Sequence, residues 1–331
     1  MADESMKERD ITFANGNINL SGTLLLPDSL QPSPVVLFLH GSGPLDRNSN
    51  LKSFKLNIFN TLAESFAQSG FASLRYDKRG CGQSGGHYMQ AGHFDLLDDA
   101  SAAIMYLRKN PKIDNKRIYL VGHSEGTLLA AQLCIKYSDI AGIILLTPFI
   151  QKLKNILRNQ AYKLKQSIQG NNSLKGKFLQ ALTRKLFDPE RIQEKLIHKI
   201  ETSQQDTLRF YLSKIPAKWF REGFQADPDY IYHQVNCPVL IIAGGKDLQC
   251  DPQDAQQIKK RVRNECKVYI LPELTHILRY DNQQASFFHY RRLAKQAMAA
   301  DIALLCNNWL IQQSITENKA KPSKTDQLEL A

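Results

Sequence analysis

Apolar residues recur along this chain in two alternating rhythms. Val35-Val36-Leu37-Phe38-Leu39, Phe71 to Tyr76, Arg117 to Val121, Ala141 to Leu146, Pro238 to Ala243 and Lys267 to Leu271 are short runs, apolar at most positions. Such runs predict strands buried on both faces. Between them lie longer stretches of helical period: Phe54 to Gln68, ended by Gly70; Phe94 to Arg108, with Asp95, Asp98 and Asp99 near its positive end; Thr127 to about Tyr137; and Pro252 to Val262. A last helix is predicted over Gln284 to Trp309. Ahead of all this, Ile11 to Phe13 and Ile18 to Leu26 flank Asn15-Gly16-Asn17, a hairpin signal because Asn-Gly supplies positive φ. Strand alternating with helix defines an α/β class with a mostly parallel, doubly wound sheet, ligands meeting the carboxyl ends of the strands.

The rhythm changes between Phe149 and about His233. There the aliphatics recur at helical spacing (Leu153, Ile156, Leu157, Leu164, Ile168, then Leu179, Leu182, Leu186, Ile192, Leu196, Ile200) with no strand pattern. Three or four amphipathic helices are predicted, inserted between sheet strands. The expected organisation is a core over 11–148, a helical cap over 149–233, the rest of the core over 234–313, and a polar, disordered tail over 314–331.

Charge changes the picture only in the cap. The chain of 331 residues carries a formal charge of +11, and residues 151–225 hold sixteen Lys and Arg against six Asp and Glu. The rest is close to neutral, and the cationic residues lie among helix-period aliphatics without a binding motif, so nucleic acid is not the expected partner. A weak contact of the basic cap with an anionic membrane surface is an alternative use of the same residues. Met1 to Asp10 has no apolar export signal and no run has membrane-spanning length, which predicts a cytoplasmic protein. Six cysteines (81, 134, 237, 250, 266 and 306) show no Cys-x-x-Cys spacing, so free thiols are expected, with no metal site and no cofactor.

The chemistry is concentrated at Gly122-His123-Ser124-Glu125-Gly126, directly after the Arg117 to Val121 strand and before a helix. A serine between glycines at a strand-to-helix turn stands where unpaired N–H groups favour developing negative charge. A serine nucleophile needs a base, and the base needs an acid to orient it. Gly244-Gly245-Lys246-Asp247 follows one strand and Pro272-Glu273-Leu274-Thr275-His276 follows the next. Ser124, Asp247 and His276 are therefore the candidate triad, with Asp251 and Asp254 as alternative acids. The oxyanion would be met by the backbone N–H of Glu125 and by that of Ser42, or of Gly43, in the turn His40-Gly41-Ser42-Gly43-Pro44. His40 and His123 are read as shaping turns. Asp46, Arg47, Asp77 and Arg79 are read as a charge network bracing the loops.

With these residues on the page, the chain resembles the α/β-hydrolase superfamily over roughly 11–313. It looks most like the bacterial serine esterase branch grouped with the S33-type serine aminopeptidases. The resemblance rests on residues 40–48, on Tyr-Asp-Lys-Arg-Gly-Cys-Gly-Gln-Ser (76–84), on 122–126, and on Gly-Gly-Lys-Asp-Leu-Gln (244–249). It implies an α/β-hydrolase fold with an inserted cap, and a serine hydrolase that cleaves a small-molecule acyl ester through an acyl-enzyme without a cofactor. Peptidase or thioesterase activity is the alternative, because one scaffold hosts many chemistries.

Overall fold

A computed structural model describes residues 6–52, 54–170, 180 and 187–319. Ten strands run in chain order: β1 (Lys7–Asn15), β2 (Ile18–Leu26), β3 (Ser33–Leu39), β4 (Ala72–Tyr76), β5 (Ile113–His123), β6 (Gly142–Leu146), β7 (Thr207–Phe210), β8 (Ser213–Pro216), β9 (Val239–Gly244) and β10 (Cys266–Leu271). Eight form one sheet in the order β1-β2-β4-β3-β5-β6-β9-β10. β1 and β2 are antiparallel, as are β2 and β4, and every other pairing is parallel. The parallel centre explains why those strands read as unbroken apolar runs: helices cover both faces.

Alternation along β3 shows the two layers. Val35, Leu37 and Leu39 pack with α2 (His93–Arg108), α3 (Glu125–Lys136) and α8 (Asp254–Arg261). Val36 and Phe38 face α1 (Ile58–Gln68) and α10 (Ala300–Lys319). Trp309 of α10 is 2% exposed and meets Tyr119 edge-on at 6.2 Å. A side chain at Gly142 would come within 2.7 Å of its ring, so β6 leaves that position empty for the indole.

The cap contains α4 (Leu153–Gln169), α5 (Pro189–Glu201), α6 (Ala217–Gln225) and α7 (Pro228–Gln234). The expectation of helices alone is corrected by β7 and β8, an antiparallel hairpin whose turn places Tyr211 at φ 49°. Thr207-Leu208-Arg209-Phe210 alternates over only four residues, too short to stand out from helical spacing. Leu179, Leu182 and Leu186 lie outside the described residues.

Four further differences have identifiable causes. α1 starts at Ile58 rather than Phe54, because Asn50 Oδ1 accepts the N–H groups of Leu56 and Asn57, and Asn57 turns left-handed at φ 50°. The long helix expected from Gln284 is broken. After the short α9 (Tyr290–Leu293) the chain dips inward, burying Met298 and Ala299, and Ala299 N donates to Leu278 O at 3.0 Å. α10 then continues to Lys319, past the expected start of the tail at 314, since Trp309, Leu310 and Gln313 keep one buried stripe and no Gly or Pro interrupts it. Residues 320–331 of that tail lie outside the described residues. Finally, Cys134 of α3 and Cys237 before β9 form a disulfide across 103 residues, where six free thiols were expected. Their spacing carried no pairing signal; the sheet order brings them together.

The core makes a direct expectation. Trp309→Ala should cost about 3–5 kcal/mol in urea unfolding, the usual range for emptying a buried aromatic site. A loss under about 1 kcal/mol would show that α10 does not anchor this face.

Candidate active site

Ser124 sits between the end of β5 and the start of α3 with φ 53° and ψ −117°. This is a backbone conformation that L-residues avoid, held by its surroundings. Ser124 N donates to Leu146 O at 3.0 Å, and Thr127 N and Oγ1 both donate to Ser124 O, at 2.9 and 2.6 Å. The flanking glycines are required by contact. A Cβ at Gly122 would lie 2.2 Å from Gly126 O, and one at Gly126 would lie 2.0 Å from Leu39 O.

Asp247 and His276 come from the turns after β9 and β10 and meet in the interior, 5% and 3% exposed. His276 Nδ1 is 2.7 Å from Asp247 Oδ2. Asp247 Oδ1 accepts from the backbone N–H groups of Gln249 and Cys250 at 2.7 and 2.9 Å, which aims the other oxygen at the imidazole. A carboxylate only accepts, so Nδ1 carries a proton and a neutral ring presents Nε2 as the acceptor. The alternative acids do other work. Asp254 accepts from Ile150 N at 3.2 Å, and Asp251 from Gln253 N at 3.0 Å.

The imidazole is tied to the serine turn through its neighbour: His123 Nε2 donates to His276 O at 2.9 Å, and the two rings lie 5.2 Å apart. Ser124 Oγ makes no hydrogen bond among the described residues. Substrate-free sites often hold this contact open and tighten it on binding.

Among the described residues, the N–H groups of Ser42 and Glu125 are engaged by no other group, and both residues line the cavity over Ser124. Gly43 N–H instead faces the Tyr88 phenol, which favours Ser42 as the donor from that turn. The cavity has a volume of about 350 Å³. The cap closes it with Leu153, Ile156, Trp219 and Phe220, and the core contributes Leu128 and Phe149. Among the described residues no Lys or Arg lines it, and Glu125 is the one acid on its wall. Several of the cap's described cations are held in pairs such as Arg158–Glu194 and Lys165–Asp188.

The charges around the first turn brace loops, as their spacing suggested. Asp77 accepts from Arg47 N at 2.7 Å, from its guanidinium at 2.8 Å and from Gln83 N at 3.0 Å. Arg79 holds Asp99 at 2.6 Å. Asp46 Oδ1 accepts from Asn48 N and Asn50 N. Sequence reasoning missed Lys78, between the two residues it weighed: its Nζ is buried against Glu125 Oε2 at 3.1 Å, and Trp219 Nε1 donates to the other oxygen of that carboxylate. Lys78 is the second residue past the buried strand β4, and that nearness to a strand end was the available signal.

Asp247, Cys250 and His276 offer three ligand atoms within 4.8 Å of one another. As a metal site the set fits poorly, because burial holds the Cys250 thiol well above its usual value, and so protonated, while Asp247 and His276 are already joined.

This elbow, this strand order and this chain order of acid and imidazole define an α/β hydrolase. A family model described as serine aminopeptidase, S33, matches residues 52–283, and the chain belongs to that family. It is 27% identical over 278 residues to esterase EstD of Thermotoga maritima, an alignment covering 83% of this chain and 61% of that protein. Its fold is similar to that of Est1E from Butyrivibrio proteoclasticus, with TM-score 0.60, 20% identity, and 92% and 99% of the two chains covered. It is also similar to esterase Pf2001 of Pyrococcus furiosus, with TM-score 0.56, 15% identity and 93% of each chain. The α/β-hydrolase fold and family expected from the motifs are thus established. Among the described residues no helix is long and apolar enough to cross a membrane.

Burial lowers His40 and His123 to about 3, so both are neutral in the folded protein. The unfolded chain protonates them below about pH 6.5, and stability contributed by the neutral rings is complete above that pH and lost as pH falls toward 3. Each should add about 1.4 kcal/mol per pH unit to the acid-side slope of the unfolding free energy. His123→Gln should remove one such share; an unchanged slope between pH 6 and 4 would contradict a neutral buried His123.

Proposed function

We propose that the protein hydrolyses carboxylic esters bearing short to medium, uncharged acyl groups. Ser124 attacks the acyl carbonyl, His276 takes its proton and returns it to the leaving alkoxide, and Asp247 holds the imidazole and stabilises its cation. The N–H groups of Ser42 and Glu125 receive the oxyanion. Water, activated by the same imidazole, then releases the acid. The observation that carries this reading is the buried Asp247–His276 pair at 2.7 Å beside a serine that opens onto an apolar cavity.

Two features favour esters over the aminopeptidase reaction in the family's name. An α-amino group needs a free carboxylate, and the one acid on the wall among the described residues, Glu125, is committed to Lys78 and Trp219. Among the described residues no Lys or Arg lies on the wall, which favours an uncharged acyl chain over an anionic one.

A p-nitrophenyl ester series tests the proposal beside aminoacyl amides and acyl-CoA thioesters. Turnover should peak at short or medium acyl chains and drop for long ones, since about 350 Å³ is small for a ligand cavity. Asp247→Asn should lower kcat by about 10⁴-fold, and Ser124→Ala should remove labelling by a fluorophosphonate. Full activity in Ser124→Ala would end the reading. Ile156→Ala, which enlarges the wall away from the reacting atoms, should move the optimum to longer chains; an optimum that stays in place would show that the cavity does not hold the acyl group.

A further inference from the structure

The carbonyl of Gly41 and the N–H of Ser42 are the two ends of one peptide unit. No described peptide bond is cis, so these groups point in opposite directions. Whatever holds the Gly41 carbonyl therefore aims the Ser42 N–H. Lys78 Nζ donates to that carbonyl at 3.0 Å and to Glu125 Oε2 at 3.1 Å, with both contacts buried. Glu125 is also the residue whose N–H faces the oxyanion from the other side. A single ammonium thus touches the Gly41–Ser42 peptide unit at its carbonyl and Glu125 at its carboxylate. Trp219 Nε1, on α6 of the cap, closes the set by donating to the second oxygen of Glu125.

We propose that Lys78 is a positioning residue for the oxyanion hole: it fixes the Gly41–Ser42 peptide relative to Glu125 and polarises it. This role rests on the ester-hydrolase reading above. No proton is transferred. The ammonium draws electron density toward the Gly41 oxygen, leaving the Ser42 N–H more positive where the substrate oxygen becomes negative, and a water-poor site preserves that effect. The aim is set before substrate arrives, so the benefit falls on the transition state. The bond from Trp219 makes the same spacing depend on how the cap is seated.

Removing Lys78 alone leaves the Glu125 carboxylate buried without its cation, so Lys78→Met is studied beside Lys78→Met/Glu125→Gln, which restores neutrality. The full-length double variant should unfold near the wild-type Tm. Its kcat for the best p-nitrophenyl ester should fall about 10- to 100-fold with KM changed less than about 3-fold, a weaker version of deleting a donor. Affinity for a trifluoromethyl ketone, whose Ser124 adduct places an oxyanion in the hole, should drop by the same factor as kcat/KM. A merely structural lysine would move Tm and leave those two ratios alone. A folded double variant with wild-type kcat and ketone affinity overturns the role of Lys78 and leaves the esterase reading standing. A wild type inert toward every ester and unlabelled at Ser124 removes the reading and this role together.

Discussion

The structure depends on how closely three pieces of backbone approach at the serine turn. The end of β3, the end of β5 and the first turn of α3 pack so tightly that a single added carbon at 122 or 126 would lie 2.0–2.2 Å from a carbonyl oxygen. That contact forces Ser124 into its strained conformation and holds its hydroxyl at the mouth of the cavity. It also determines where the turn after β3 lies, because a Cβ added at Gly41 would lie 3.3 Å from that of Ser124. The parallel sheet then delivers the other groups. β9 and β10 sit beyond β6 in register, and their carboxyl-end turns carry Asp247 and His276 to the same edge.

Much of this was legible in the chain because backbone constraints leave marks on residue type. Glycines at 122 and 126, apolar runs at 35–39 and 141–146, and polar residues just past strand ends all report local geometry. Their order then restricts the topology. Legibility stopped where an outcome depended on competition between distant groups. The break between α9 and α10 follows from the Leu278 carbonyl capturing Ala299 N, a contact that no local pattern announces. The Cys134–Cys237 link follows from sheet order. The β7–β8 hairpin was hidden because four alternating residues among helix-period aliphatics are indistinguishable from noise. Asp247 was separable from Asp251 and Asp254 by its nearness to a strand end, yet its hydrogen bonds from Gln249 and Cys250 could be seen only in three dimensions.

The Lys78–Glu125 pair is the least economical feature of the molecule. Lys78 and Glu125 side chains are 4% and 6% exposed, so both charges have left water. Desolvating two ions costs several kcal/mol each, and well-packed apolar residues of similar volume often serve a fold as well or better. What such residues could not do is hold the Gly41–Ser42 peptide against Glu125, the role proposed for Lys78. The Gly41 carbonyl takes one hydrogen of the ammonium and Glu125 another, while Trp219 fills a lone pair that would otherwise be orphaned. On that proposal the satisfied network is a device for geometry, and its cost in stability is balanced against the precision of a hole that must match a charge existing only in passing. Because one corner of the network is the Trp219 side chain, the cap does more than close the cavity: its seating is part of the same electrostatic arrangement.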